Sequence, residues 1–373
     1  FNSTGGVESS SIPQEFMNKL IFPDFINNDL KDAASDQMRN QNYFGGDIKT
    51  NFNIMLNKQK KTSKRGGIWG IGFENALEAN LIFTKDLFNL AFYGNKRFAN
   101  TNLDLSKTNF NSLSYSCIEF TFGQSFLKNK IKSSVWGDLG LLIGHNFTDI
   151  NIGNGSLFTE KNGDYLQLVL SETSLKLSDT SNTSLVKGFG AKLDLFYSRQ
   201  TPKYKLLISA ENIGGLFWQN ISSASLDTTI KFEGIEIDNI FQLSDSVWSE
   251  LGSIDSLILS TKKDLLKAIP VNFSAYYRKN LKFISFDVLA RYRLFANYIP
   301  FIRTGINFNL PYVKPGVTAS YGGYSRFNFG INTDFSFHKS LKFQVGTNNI
   351  LGSFLPGLTS ALDVYLGFRL KFN

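Results

Sequence analysis

The 373-residue sequence predicts an all-β fold: a closed antiparallel transmembrane β-barrel with short N-terminal helices and one inserted loop or subdomain. Three observations predict it. Apolar residues recur at every second position through many segments, the mark of strands with two unlike faces. Aromatic residues are abundant, 36 Phe and 14 Tyr beside only 8 Pro, and flat rings suit a pleated surface. Mean hydropathy is −0.12, and no run approaches the ~20 apolar residues of a membrane helix. Strands that alternate hide their apolar face from such an average, so a membrane barrel stays open where a helical bundle is excluded.

Residues 1–44 read as a helical segment and not as strand. Ser11 and Gln14 form a Ser-x-x-Gln capping pattern with Pro13 between them, and Pro23 ends the short helix that follows. Ile26, Leu30, Ala34 and Met38 then recur every four residues, one apolar stripe of a second helix, with Lys31, Asp32, Asp36 and Arg39 largely opposite. That stripe needs cover from the lumen, a neighbouring element or a partner protein. Helices filling the lumen would argue against a general porin, whose interior must hold a continuous water path.

The barrel is expected over 45–373, from Gly45-Gly46 onward, where the period changes to two. The segment KQKKTSKR, with Lys58, Lys60, Lys61, Lys64 and Arg65, joins its first two strands and supplies most of the net charge of +8. A local excess of this kind does not imply nucleic acid. With an even strand count and both termini in the periplasm the hairpin faces outward, where lipopolysaccharide phosphates would pair with it. A merely solvated hairpin is an equal alternative. Gly67, Gly70 and Gly72 relieve crowding in a curved strand, since the strand-turn-helix setting of a dinucleotide fingerprint is missing.

Val135-Gly137-Leu139-Leu141-Ile143 and Phe189-Ala191-Leu193-Leu195-Tyr197 continue the alternation, separated by Gly, Asn, Ser and Lys clusters typical of turns. Residues 228–268 interrupt it and read as an insertion, with STKKDLLKA a helix-forming stretch. The period returns in Ile284–Leu294, Ile302–Leu310, Phe327–Phe337 and, most clearly, Leu362–Phe372. About fourteen such segments fit the even strand numbers of single-chain bacterial barrels. Strands of ~9–11 residues match a tilted bilayer crossing. Trp69, Phe126, Trp136, Tyr298 and Tyr312 near strand ends are candidates for interfacial girdles, with core packing as the alternative.

Little here suggests catalysis. His145 and His338 are the only histidines, and neither has a nucleophile and carboxylate beside it in sequence. Ser260-x-x-Lys263 and Ser336-x-x-Lys339 lack the partner motifs of penicillin-recognising enzymes. The single Cys117 excludes an internal disulfide and a Cys/His zinc spacing. Neither cofactor nor metal is expected, and no enzyme. The start at Phe1, without Met or a signal pattern, fits a processed, exported chain. Asp227-Thr-Thr, Asp245-Ser-Val and Asp255-Ser-Leu are weak matches to a Bacteroidota O-glycosylation tripeptide in the interrupted region.

FGGDIKTNFNI at 44–54, TKDLFNLAFYGNKRF at 84–98 and above all FEGIEIDNIFQL at 232–243 carry a resemblance. They resemble a family of Bacteroidota outer-membrane proteins similar to fatty-acid-transporter-type barrels and identified as including the Plug component of the type IX secretion translocon. The resemblance implies an outer-membrane location and a barrel that seals the periplasmic end of a large translocon barrel. Ile26, Leu30, Ala34 and Met38, with Ile235, Ile237, Ile240 and Phe241 of the insertion, are then the candidate partner contacts. A transporter of hydrophobic small molecules is the second reading, and a soluble all-β scaffold the third.

Overall fold

The computed structural model describes residues 1–59, 65–178, 184–233, 261–338, 340–350 and 360–371. The chain starts with β1 (Asn2–Ser9), then α1 (Gln14–Ile21) and α2 (Asn28–Gln37), then β2 (Asn42–Gln59) and β3 (Arg65–Phe83). After α3 (Lys85–Tyr93) come β4 (Asn102–Asp104), β5 (Thr108–Lys128), β6 (Ile131–Thr159), β7 (Tyr165–Leu177), β8 (Gly188–Gln200) and β9 (Tyr204–Glu233). The remainder is β10 (Thr261–Ala268), β11 (Val271–Asn280), β12 (Ile284–Leu294), β13 (Ile299–Phe308), β14 (Val313–Gly323), β15 (Phe327–His338), β16 (Leu341–Thr347) and β17 (Ala361–Leu370).

These strands form one antiparallel sheet that closes on itself, because β1 pairs with β17 on one side and β2 on the other. Fourteen staves make the ring: β1, β2, β3, β5, β6, β8, β9 and β11 to β17. Three strands are additions. β10 continues β11 along the upper part of β9, β4 pairs with β6 just beyond β5, and β7 lies between the far ends of β6 and β9. β6 and β9 run to 29 and 30 residues, far beyond a bilayer crossing, so this side stands above the barrel as an extension.

Alternation sorts the faces. In β3, Glu74, Ala76 and Glu78 are buried while Ile71, Phe73 and Leu77 between and beside them are exposed. Ile48, Phe52, Ile54 and Leu56 of β2, and Val135, Leu139 and Leu141 of β6, extend the same exposed apolar belt. A patch of that extent does not persist in water, whereas an outward apolar band on a closed ring is how a barrel meets lipid. The chain is a bacterial outer-membrane barrel. No helix among the described residues is long and apolar enough to cross a membrane.

The two ends differ. At one, staves are joined by the short stretches 129–130, 201–203, 281–283 and 309–312. Asn129 and Lys130 both have positive φ, the backbone of a two-residue hairpin turn matched to sheet twist. At the other end lie the helices, β4, β7 and the ends of β6 and β9. Short turns face the periplasm and long loops the exterior in such barrels, which sets the orientation.

Four expectations change. Residues 1–44 are not wholly helical: Asn2–Ser9 is a stave of the barrel, held by register with its neighbours although Gly5 and Gly6 break any apolar alternation. This extra stave shifts the parity. Lys58 near the end of β2 and Arg65 at the start of β3 therefore stand at the short-turn end, opposite to the end expected for the basic hairpin, while Lys60, Lys61 and Lys64 lie outside the described residues. The supposed insertion 228–268 begins inside β9 and ends in β10, where STKKDLLKA is strand from Thr261 because it pairs with 215–223. Asp227-Thr-Thr is likewise strand. Residues 234–260, including Ile235, Ile237, Ile240 and Phe241 and the other two tripeptides, lie outside the description.

The helices do not fill the lumen. Phe16 and Met17 of α1, Leu30 and Ala34 of α2, Met38, and Phe88, Ala91 and Phe92 of α3 form one core with Phe83. Val7, Phe44 and Leu81 pack on it. These three adjoin the cavity-lining Glu8 and Gly45 and the inward Asn80, so alternation places them outside, and the helices sit against the outer face of the rim. Ile26 joins this core from just ahead of α2, which starts at Asn28. Asn27 Oδ1 accepts from Leu30 N at 3.0 Å and Thr84 Oγ1 from Leu87 N at 3.0 Å, capping α2 and α3. Ser11 caps nothing, since Pro13 is the N-cap of α1. The far face of α3 packs Leu90 on Leu103, Leu105, Leu157 and Leu166 of the extension.

Candidate functional site

With the helices outside, the wall's own side chains close much of the lumen. Ala76, Tyr115, Cys117, Leu142, Phe147, Leu216, Trp218, Ile221 and Ile269 form a buried cluster carried by β3, β5, β6, β9 and the bend before β11. Inward positions on four of these strands therefore pack on one another instead of lining water. Glycine makes this fit: a Cβ on Gly144 would lie 2.7 Å from Trp218 Cη2 and one on Gly188 3.1 Å from Trp218 Cε3. Phe147 stacks on the same indole with ring centres 5.4 Å apart.

Below this cluster lies a knot of buried charge. Lys192 Nζ is 2.8 Å from Glu119 Oε1, 3.1 Å from Glu74 Oε1 and 3.1 Å from Asp194 Oδ2, with none of its side chain exposed. Lys49 Nζ lies 2.7 Å from Glu74 Oε2. Tyr115 donates to Glu74 Oε1 at 3.2 Å and Lys192 to Asn212 Oδ1 at 3.2 Å. Charges so enclosed hold only when paired and hydrogen-bonded, and these are. The knot ties β2, β3, β5, β8 and β9 together across the lumen.

The other half of the lumen holds a cavity of about 880 Å³ lined by β1 to β3, β9 and β11 to β17. Its lining is polar and carries charges of both signs, unevenly placed. Toward the helical end stand Glu8, Asp47, Glu78 and Asp363, with Arg293 Nη2 2.5 Å from Glu78 Oε2. Toward the short-turn end stand Lys205, Arg278, Lys314, Lys342 and Arg369, each within two residues of a strand terminus. Asp287 accepts from Arg278 Nη2 at 3.2 Å and from Asn307 Nδ2 at 2.6 Å, and Asp334 is the other acid there.

Of the aromatic residues expected at interfaces, Trp69 and Phe126 face outward near the short-turn end, and Tyr312 is exposed in the turn there. Trp136 and Tyr298 do not: Trp136 stacks on Phe196 with centroids 5.0 Å apart on the inward face, and Tyr298 lines the cavity. Strand ends alone did not tell which face each ring takes. His145 lies within β6, its Nε2 2.8 Å from Ser116 Oγ and its Nδ1 2.7 Å from the Leu185 carbonyl oxygen. None of the charged lumen residues stood out in the sequence; the only available signal was a charged residue on the polar face of an alternating strand, as at Arg369.

Comparison with curated proteins found no match. Among solved structures, the toluene transporter TbuX of Ralstonia pickettii aligns with TM-score 0.40 at 10% identity, over 100% of this chain and 89% of that one. The P. putida toluene transporter TodX aligns with TM-score 0.40 at 8% identity, over 100% and 90%. Outer membrane phospholipase A from Escherichia coli aligns with TM-score 0.28 at 8% identity, over 99% and 92%. A family model matches residues 9–348, most of the chain. By that match, which spans the barrel and both lumenal zones, the chain belongs to the family of unknown function DUF5723.

Proposed function

We propose that this barrel is an outer-membrane transporter of small molecules, without enzymatic activity, whose cargo occupies the lumenal cavity. The cavity carries the reading. Its volume of about 880 Å³ is on the scale of a single small ligand, and it lies within a closed ring whose remaining cross-section is packed. Passage then requires the packed side to loosen, with Trp218 as the largest obstacle.

Hydrophobic cargo is a second reading, favoured by the cluster around Trp218, Leu142 and Leu216, which offers an apolar route when it opens. The charged lining of the cavity favours polar cargo. Sealing of a type IX translocon rests on the sequence resemblance. The helical stripe Leu30, Ala34 and Met38 that would serve it as a docking surface is covered by α1, α3 and the rim of this same chain.

Reconstituted vesicles test the proposal. Size-limited flux of small solutes is expected, and the solute that passes fastest reports whether the polar or the apolar route serves. No flux from either the wild type or a Trp218→Ala variant overturns transport. A stoichiometric partner of very large barrel size, recovered in mild detergent from the native membrane, would favour the seal instead.

A further inference from the structure

Like charges face each other at the short-turn mouth of the lumen. Arg278 of β11 lies directly opposite Lys205 of β9 in the sheet register, and Arg369 of β17 directly opposite Lys342 of β16. Cross-strand neighbours of like sign destabilise a sheet. Here two such pairs share one cavity with Lys314. Among the described residues, Lys205, Lys314, Lys342 and Arg369 have no carboxylate within 4.0 Å, and Arg278 shares Asp287 with Asn307. Lys205 and Arg278 both lie over the Tyr276 ring, 5.9 and 5.7 Å from its centroid, which holds the two cations side by side.

The arrangement contrasts with the buried cations of the lumen. Lys192 and Arg293, buried in the wall, are matched to acids at contact distance. At the mouth, Lys205, Lys342 and Arg369 are exposed and so accessible to a solute in the cavity, and among the described residues Arg278 alone of the five cations pairs with an acid, Asp287 at 3.2 Å. A low-dielectric wall focuses the field of such a cluster, and guanidinium and ammonium groups are the donors that suit phosphate and carboxylate oxygens.

We propose that the short-turn mouth binds a small multivalent anion bearing phosphate or carboxylate groups. Its place inside a cavity, and not on an open face, limits the ligand to small molecules. That this anion is cargo rests on the transport reading; the site itself rests on the charge pattern.

The test is a thermal-unfolding titration of the full chain in mild detergent with inorganic phosphate, with citrate, and with potassium chloride at matched ionic strength. Phosphate or citrate should raise the midpoint saturably and beyond chloride, and whichever acts at lower concentration identifies the anion class. A Lys342→Gln/Arg369→Gln variant should start at a higher midpoint, because repulsion is relieved, and need at least a tenfold higher anion concentration for the same rise. Lys205→Gln provides the same comparison from the other pair. Anions that act no better than chloride, or variants that respond as the wild type does, overturn the site. Anion flux into vesicles is the separate arm: binding without flux removes the cargo role and leaves the site standing.

Discussion

Lys192 shows how far apart in sequence the decisive contacts lie, since its partner Glu74 is 118 residues away. Removing one member of such a buried set leaves charge uncompensated, which costs about 3–5 kcal/mol. Lys192→Met should therefore lower the unfolding midpoint strongly, read as the temperature at which the folded, fast-migrating band is lost on a gel. Retention of the wild-type midpoint would show that the knot is not structural. Trp218 makes a different case: Trp218→Ala removes the indole that fills the space left by Gly144 and Gly188. Single-channel recording should show larger or more frequent openings in that variant than in the wild type. At this scale the sequence was nearly silent, because a Lys in an alternating strand reads as a polar-face residue whether it meets water or three carboxylates.

Among the elements, the helices and β1 are the instructive ones. The four-residue stripe identified α2 because an amphipathic period is local, but the surface that covers it is not. Phe16 is fully buried between Phe88 and Phe92, with ring centres 5.4 and 4.8 Å away. Phe16→Ala removes about 3–5 kcal/mol of packing. Since this core sits outside the ring, the loss should appear as faster proteolysis at the exposed Phe22 and Phe25 with the barrel's own midpoint unchanged. A lowered barrel midpoint would mean that the helices support the ring. β10 shows the converse, where Leu and Lys favour helix locally yet seven residues from 261 to 268 pair with β9. Edge pairing in a closed sheet satisfies a full row of backbone groups, which outweighs propensity.

For the whole molecule, orientation is the property with the sharpest test. The turn around Asn162 lies at the long-loop end and Lys203 at the short-turn end, and both residues are exposed. In intact cells an impermeant thiol reagent should label Asn162→Cys and spare Lys203→Cys, with the buried Cys117 silent in both; the reverse pattern would invert the barrel. The sequence by itself determined the all-β class, the membrane-facing alternation and the approximate stave count, since each follows from a period of two that every lipid-facing strand repeats. Closure through β1, the outward seat of the helices, the packing around Trp218 and the paired cations at the mouth were decided only by tertiary structure. Those features depend on which strand lies beside which, and register between distant segments leaves no local trace in the residues that obey it.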